Sequence, residues 1–343
     1  MNEYPPAPKT KAARKGNFFA IELEAWCLVC DQDINAAVAY LVMARGSWKD
    51  NSTTKWSVRA VARYGGIWRR RAKEAIDNLI ALGLVELTGG TQRKPIYKIR
   101  YINGGSNMIW LPNELVGHPK QELRPISLLR ETQDIDLLRL LIDLYFIHDL
   151  PGDGGVNRRE LVKTFSRHEV GERGAFKIWG FLPGGYSAPQ SASFAAAGQR
   201  DLIDQEAENE FKEKIFAAIL ELERLGFFEF VVHLVESNEH TGEIIHPLPL
   251  PLTGLPVEQR LTAVAGSAAR GMLTDGQRKW AKDSGIELLV PIRAHLKSVA
   301  AVGIARMRFR PKTAPTAEWM SRSDEWEQQI AKYLKLSASE VRF

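Results

Sequence analysis

Two consecutive glycines, Gly65 and Gly66, constrain this chain more than any other feature. Each flank carries helical periodicity, and only an open backbone joins two helices so abruptly. Before the glycines, Val58, Val61 and Ala62 recur at helical spacing and give a short helix one apolar side. After them, Ala72, Ala75, Ile76, Leu79 and Ile80 form one stripe, which leaves Arg70, Lys73 and Asp77 facing water with Arg69 and Arg71 on the flanks. Gly83 stands where a helix ends in the left-handed conformation. Leu84 to Leu87 then reads as a strand that turns at Thr88-Gly89-Gly90 and returns through Ile96-Tyr97-Lys98-Ile99. The stretch predicts helix, turn, helix and hairpin, in that order.

That order resembles the winged helix-turn-helix family, as carried by bacterial and phage regulators and by plasmid replication proteins, over residues 17 to 103. In that family the second helix of the motif enters the major groove and its N-terminal residues read base edges, so the resemblance implies that Arg69, Arg70, Arg71 and Lys73 read DNA. Where a capping serine commonly stands, this chain has Trp68, which removes a side-chain cap and puts a large aromatic beside the DNA-facing turn. Arg59 and Arg63 of the first helix, with Arg93, Lys94 and Lys98 of the wing, complete the expected double-stranded DNA contacts.

Charge distribution supports the same face. Residues 45 to 100 hold thirteen lysines and arginines against four acids, a net of +9 in a chain whose total is +5, so the remainder is net negative. Such concentration on one module is the footprint of a phosphate-binding surface. The alternatives are a solvated face on a basic protein and a winged helix used for protein contacts.

Compared with itself, the chain suggests a duplication. Gln32-Asp33-Ile34-Asn35 and Gln133-Asp134-Ile135-Asp136 each open an apolar helix, and Gly83-Leu-Val-Glu-Leu87 finds a counterpart in Gly226-Phe-Phe-Glu-Phe230. The expectation is therefore a mainly α fold with small β wings: tandem winged helix-turn-helix domains over 17–105 and 106–256, the second with an insertion at 166–205, then a C-terminal α+β region over 257–343. From Glu206 to Glu236 the second copy carries eight acids and three bases, which suits a homodimer contact or a protein partner better than phosphate. Residues 1–16, with three prolines and four bases, read as a disordered basic arm. The run from His246 to Pro256 is too rich in proline for helix and marks an extended linker or a packed brace. Farther on, Val299 to Arg310 alternates like a strand, with Arg306, Arg308 and Arg310 on one face, read as solvated or DNA-supporting.

At 343 residues, 45% hydrophobic and 25% charged, the chain has enough apolar residues for sizeable cores. No apolar run reaches membrane-spanning length and no signal-peptide core precedes residue 17, which predicts a cytoplasmic protein. Catalysis has little to stand on. Cys27 and Cys30 have the redox spacing but lie in an apolar stretch without a second pair, the seven histidines lack ligand spacing, and Gly152-Asp-Gly-Gly155 lacks the lysine a phosphate-binding loop needs. The expectation is no enzyme, no cofactor and no metal. Two readings remain within DNA binding: a transcriptional regulator of a bacterial, phage or mobile-element operon, and a replication initiator on repeated origin sites. A third lies outside it, a protein-interaction adaptor.

Overall fold

Gly66 takes φ +65° and Gly83 takes φ +72°, so both glycines adopt the left-handed backbone that their positions demand. The computed structural model describes residues 17–91, 93–118, 124–187, 205–311 and 313–339. They divide into two compact units, Met1–Leu138 with Arg310–Thr313 and Arg139–Phe309 with Ala314–Phe343. The expected basic arm over 1–16 lies outside the described residues.

In the first unit, β1 (Phe18–Glu22) leads into α1 (Leu23–Cys30) and α2 (Ile34–Arg45). Asp33 caps α2 by accepting from the Asn35 and Ala36 amides at 2.6 and 2.9 Å. Every residue from Ala36 to Ala44 is buried, which makes α2 the central post of this unit. Around it stand β2 (Thr53–Thr54), α3 (Val58–Gly65), α4 (Arg69–Ala81), β3 (Val85–Thr91) and β4 (Lys94–Ile99), with the three strands in the order β2-β4-β3. The buried side of α4 is Ala72, Ala75, Ile76 and Leu79, while Ile80 is exposed rather than on the stripe. A Cβ on Gly65 would stand 2.8 Å from Val38 Cγ1, so the first glycine of the pair is there for close approach of α3 to α2. Beyond the hairpin, buried Glu22 accepts from the backbone amides of Ile102, Asn103 and Gly105, and β5 (Met108–Pro112) pairs antiparallel with β1. Two short helices, α5 (Asn113–Val116) and α6 (Pro125–Glu131), complete it, and α7 (Ile135–Phe146) runs on into the second unit.

The second unit overturns the expectation of a mainly α fold with small wings. Its scaffold is one six-stranded antiparallel sheet in the order β11-β10-β13-β8-β9-β12. The strands are β8 (Val162–Arg173), β9 (Phe176–Ser187), β10 (Phe228–Val235), β11 (Ile244–Pro247), β12 (Leu288–Arg293) and β13 (Ala300–Met307), and a pair of two-residue strands, β6 (His148–Asp149) with β7 (Gly155–Val156), forms a separate ladder packed against β13. The chain is thus a mixed α+β protein without tandem winged helices. Two physical reasons account for the difference. The expected insertion begins inside a long β8/β9 hairpin whose inward-outward alternation is broken by register shifts between Lys163 and Phe165 and between Glu169 and Gly171, so period two is not visible along the chain. And the 257–343 region supplies β12 to the edge and β13 to the middle of the same sheet rather than folding separately. The remainder of the insertion, 188–204, lies outside the described residues.

The resemblance between the two halves is real only locally. Helix, left-handed glycine and strand recur as α8 (Gln205–Arg224), Gly226 at φ +74° and β10, with Ile219 and Leu222 buried. Between α7 and α8, however, the described residues form strands where a first helix of the motif would stand. Against the sheet pack α9 (Pro256–Met272), α10 (Asp275–Asp283), α11 (Ala314–Ser321) and α12 (Ser323–Ser339), around a core that includes Phe181, Val232, Leu234, Leu261, Val290, Trp319 and Trp326. The proline-rich run is a brace: Leu248 is buried in that core and Leu250 and Leu255 lean on it. Arg306 is no surface residue but fully buried, bound to Glu258 at 2.7 Å.

Candidate nucleic-acid interface

The elements that frame the candidate site are held by tight turns, stacked side chains and one contact from the start of α6. The α3–α4 turn is closed by Gly66, and Arg124 reaches across to donate to the Arg63 carbonyl oxygen. Trp56 stacks on Tyr64 at 4.2 Å, and the Arg45 guanidinium lies over both rings at 5.0 and 5.5 Å, which ties the end of α2 to α3. The hairpin is closed at Gly90, where any Cβ would stand 2.2 Å from the Lys94 carbonyl oxygen, and the Lys94 amide donates to Thr91 Oγ1 at 3.2 Å.

Between α4 and this hairpin runs an open groove of about 1240 Å³. Its walls carry Arg59 from α3, Arg69, Arg70 and Lys73 from α4, and Arg93 from the hairpin tip. Ile76, Leu87, Pro95 and Tyr97 also line it. Five cations face one carboxylate, Asp77, so the groove is an anion-attracting surface. In a second hollow, within the other unit, three carboxylates (Asp149, Asp153, Glu243) meet three guanidiniums (Arg158, Arg159, Arg322). There Arg158 donates to Asp153 at 2.6 Å and to the Gly242 carbonyl oxygen at 2.9 Å, so the hollow is close to neutral.

Of the ten residues singled out from the sequence, five therefore converge and five do not. Arg63, Arg71, Lys94 and Lys98 are exposed on the same unit but do not line the groove. Trp68 is 86% exposed at the start of α4, where it gives no side-chain cap and leaves the first amides of the helix open. Two groove cations are already paired along the helix, Arg70 with Glu74 at 3.5 Å and Lys73 with Asp77 at 2.5 Å. The hydrogen bond to Asp77 holds the Lys73 ammonium above the usual lysine range. Among the described residues, Arg59, Arg69 and Arg93 have no carboxylate partner and are available to a ligand.

Sequence reasoning overlooked Tyr97 and Leu87 as groove residues. Burial, then the Asp77 charge, pushes the Tyr97 hydroxyl above its ordinary value. The signal was faint, because a register shift between Leu87 and Gly89 changes which hairpin residues turn toward α4. Elsewhere, Cys27 is half-buried and Cys30 buried on α1, both as thiols. No group of three or more His, Cys, Asp or Glu among the described residues is arranged to hold a metal, and no helix among them is long and apolar enough to cross a membrane. No known family model, curated protein or solved structure matches this chain.

Proposed function

We propose that residues 17–105 act as a winged-helix module that binds double-stranded DNA in a sequence-specific way, and that the protein is a cytoplasmic transcriptional regulator. The observation that carries this reading is the convergence of Arg59, Arg69, Arg70, Lys73 and Arg93 from two helices and a hairpin tip on one groove. A duplex offers regularly spaced phosphates to such a cradle, and the exposed side of a thirteen-residue helix, Arg69–Ala81, supplies the side chains that reach base edges. The regulator reading is preferred to an initiator because the second unit is a sheet rather than a second basic reader. A homodimer would present two such grooves to a palindromic site.

The test is selection of bound sequences from a random duplex pool by the full chain, followed by single substitutions. On the selected site, Arg70→Ala and Lys73→Ala should each cost roughly 1 to 3 kcal/mol where they contact a base, and less on random duplex. An inverted repeat as the selected sequence supports the regulator, and direct repeats replace it with an initiator. Failure to retain any duplex overturns the DNA reading.

A further inference from the structure

Asp77 is the exception in the groove: a carboxylate among five cations, on the same stripe of α4 as Arg70 and Lys73. At 1.5 Å per residue it stands about 10 Å beyond Arg70, close to three base-pair steps along a duplex. Half-exposed, it holds Lys73 Nζ through Oδ2 at 2.5 Å, and Oδ1 remains as an acceptor. A carboxylate can only accept hydrogen bonds, and phosphate oxygens repel it. In the major groove, guanine presents two acceptors and adenine sets an acceptor beside its amine, whereas cytosine presents an amine donor without a neighbouring acceptor of its own.

Resting on the DNA reading above, we infer that Asp77 is a specificity-determining residue. It accepts from the N4 amine of a cytosine and repels duplexes that place acceptors at that step. Arg59, Arg69 and Arg93 hold the backbone on any sequence, and Asp77 then penalises the wrong ones. Lys73, besides the base contact tested above, positions Asp77, since its ammonium fixes which carboxylate oxygen is left to the base.

The experiment uses the full chain with its selected site, the set of single-base variants of that site, and a random duplex. Asp77→Ala should bind random duplex more tightly than the parent and should lose a roughly 5- to 150-fold preference at one base pair only. Asp77→Asn, which removes the charge and gains a donor, should move the preference at that pair toward adenine. Unchanged base preference in both variants, with parental affinity for random duplex, overturns the inference and reduces Asp77 to a partner for Lys73 along the helix. A parent chain that retains no duplex at all overturns the DNA reading itself, a result distinct from parental preference in the two variants.

Discussion

The second unit places two neutral imidazoles and an ion pair where no water reaches them. Glu258, Arg306 and His233 are all fully buried, and Arg306 donates to both Glu258 oxygens at 2.7 and 2.8 Å and to His233 Nε2 at 2.7 Å. His233 Nδ1 lies 2.7 Å from the Val231 carbonyl oxygen, which can only accept, so the proton sits on Nδ1 and Nε2 is the lone pair that meets the guanidinium. Removing one partner strands a buried charge. Glu258→Ala should therefore destabilise the second unit by about 3 to 5 kcal/mol in urea unfolding, whereas Arg306→Met combined with Glu258→Leu should recover most of that loss. His246 gives a pH dependence. Burial pushes its pKa down to about 4, and its Nδ1–H donates to the Pro247 carbonyl oxygen at 3.0 Å while Nε2 accepts from the Tyr333 hydroxyl at 2.9 Å. The unfolded chain takes up this proton near pH 6.5 and the folded chain only near 4. The contribution of His246 is thus intact above 6.5 and falls with acidification across that window, by at most about 1.4 kcal/mol per pH unit; His233, which burial also holds well below the ordinary histidine value, adds to the fall, and Asp143, which burial raises to about 7, opposes it. Unfolding midpoints of the parent and of His246→Gln, measured from pH 7 to 4.5, should diverge by this contribution, the variant losing less stability on acidification than the parent.

At the scale of elements, what could be read along the chain is what depends on neighbours a few residues away. The α3 turn, the α4 stripe and Gly83 answer to spacing, and the structure has them where spacing put them, apart from Ile80. The six-stranded sheet does not. Val290 pairs with Trp179 and Ile304 with Val162, partners more than a hundred residues apart, and the bulges of β8 and β9 hide their alternation. Arg306 was read as a surface charge because its carboxylate partner lies 48 residues upstream. The groove was half legible for the same reason: its cations are local, but the hairpin's facing depends on one register shift. The three glycines around α4 allow a graded test. Gly83→Ala meets open space and Gly66→Ala brings a Cβ to 3.1 Å from Ser127 Oγ, both at positive φ, so each should cost about 1 to 2 kcal/mol and Gly66 the more. Gly65→Ala, whose Cβ would press on Val38, should cost about 1 to 3 kcal/mol through displacement of α3. Thermal midpoints of the three variants check the order, and an unchanged midpoint for Gly65→Ala would remove the close-approach argument.

For the whole molecule the governing fact is that charge is unevenly divided. Residues 45 to 100 carry +9 of a total of +5, so the rest of the chain repels a polyanion that this segment attracts. Net charge alone would then give weak, salt-sensitive association with any acidic surface, and a seated duplex must be told apart from it. The distinction lies in the number of phosphates neutralised at contact. At 0.1 M salt, charges beyond about 10 Å of a phosphate are largely screened, so the slope of log affinity against log salt counts the cations that touch the backbone. Each such contact contributes about 0.9. Replacing Arg59, Arg69 and Arg93 together by Gln should therefore lower the slope by about 2 to 3, because these three have no carboxylate partner among the described residues and face the groove. Replacing Lys279 and Lys282, exposed on α10 of the other unit, should leave it where it was. The reverse outcome, a slope that answers to Lys279 and Lys282 and ignores the three arginines, would move the contact with DNA to the sheet-based unit and leave the groove without a ligand.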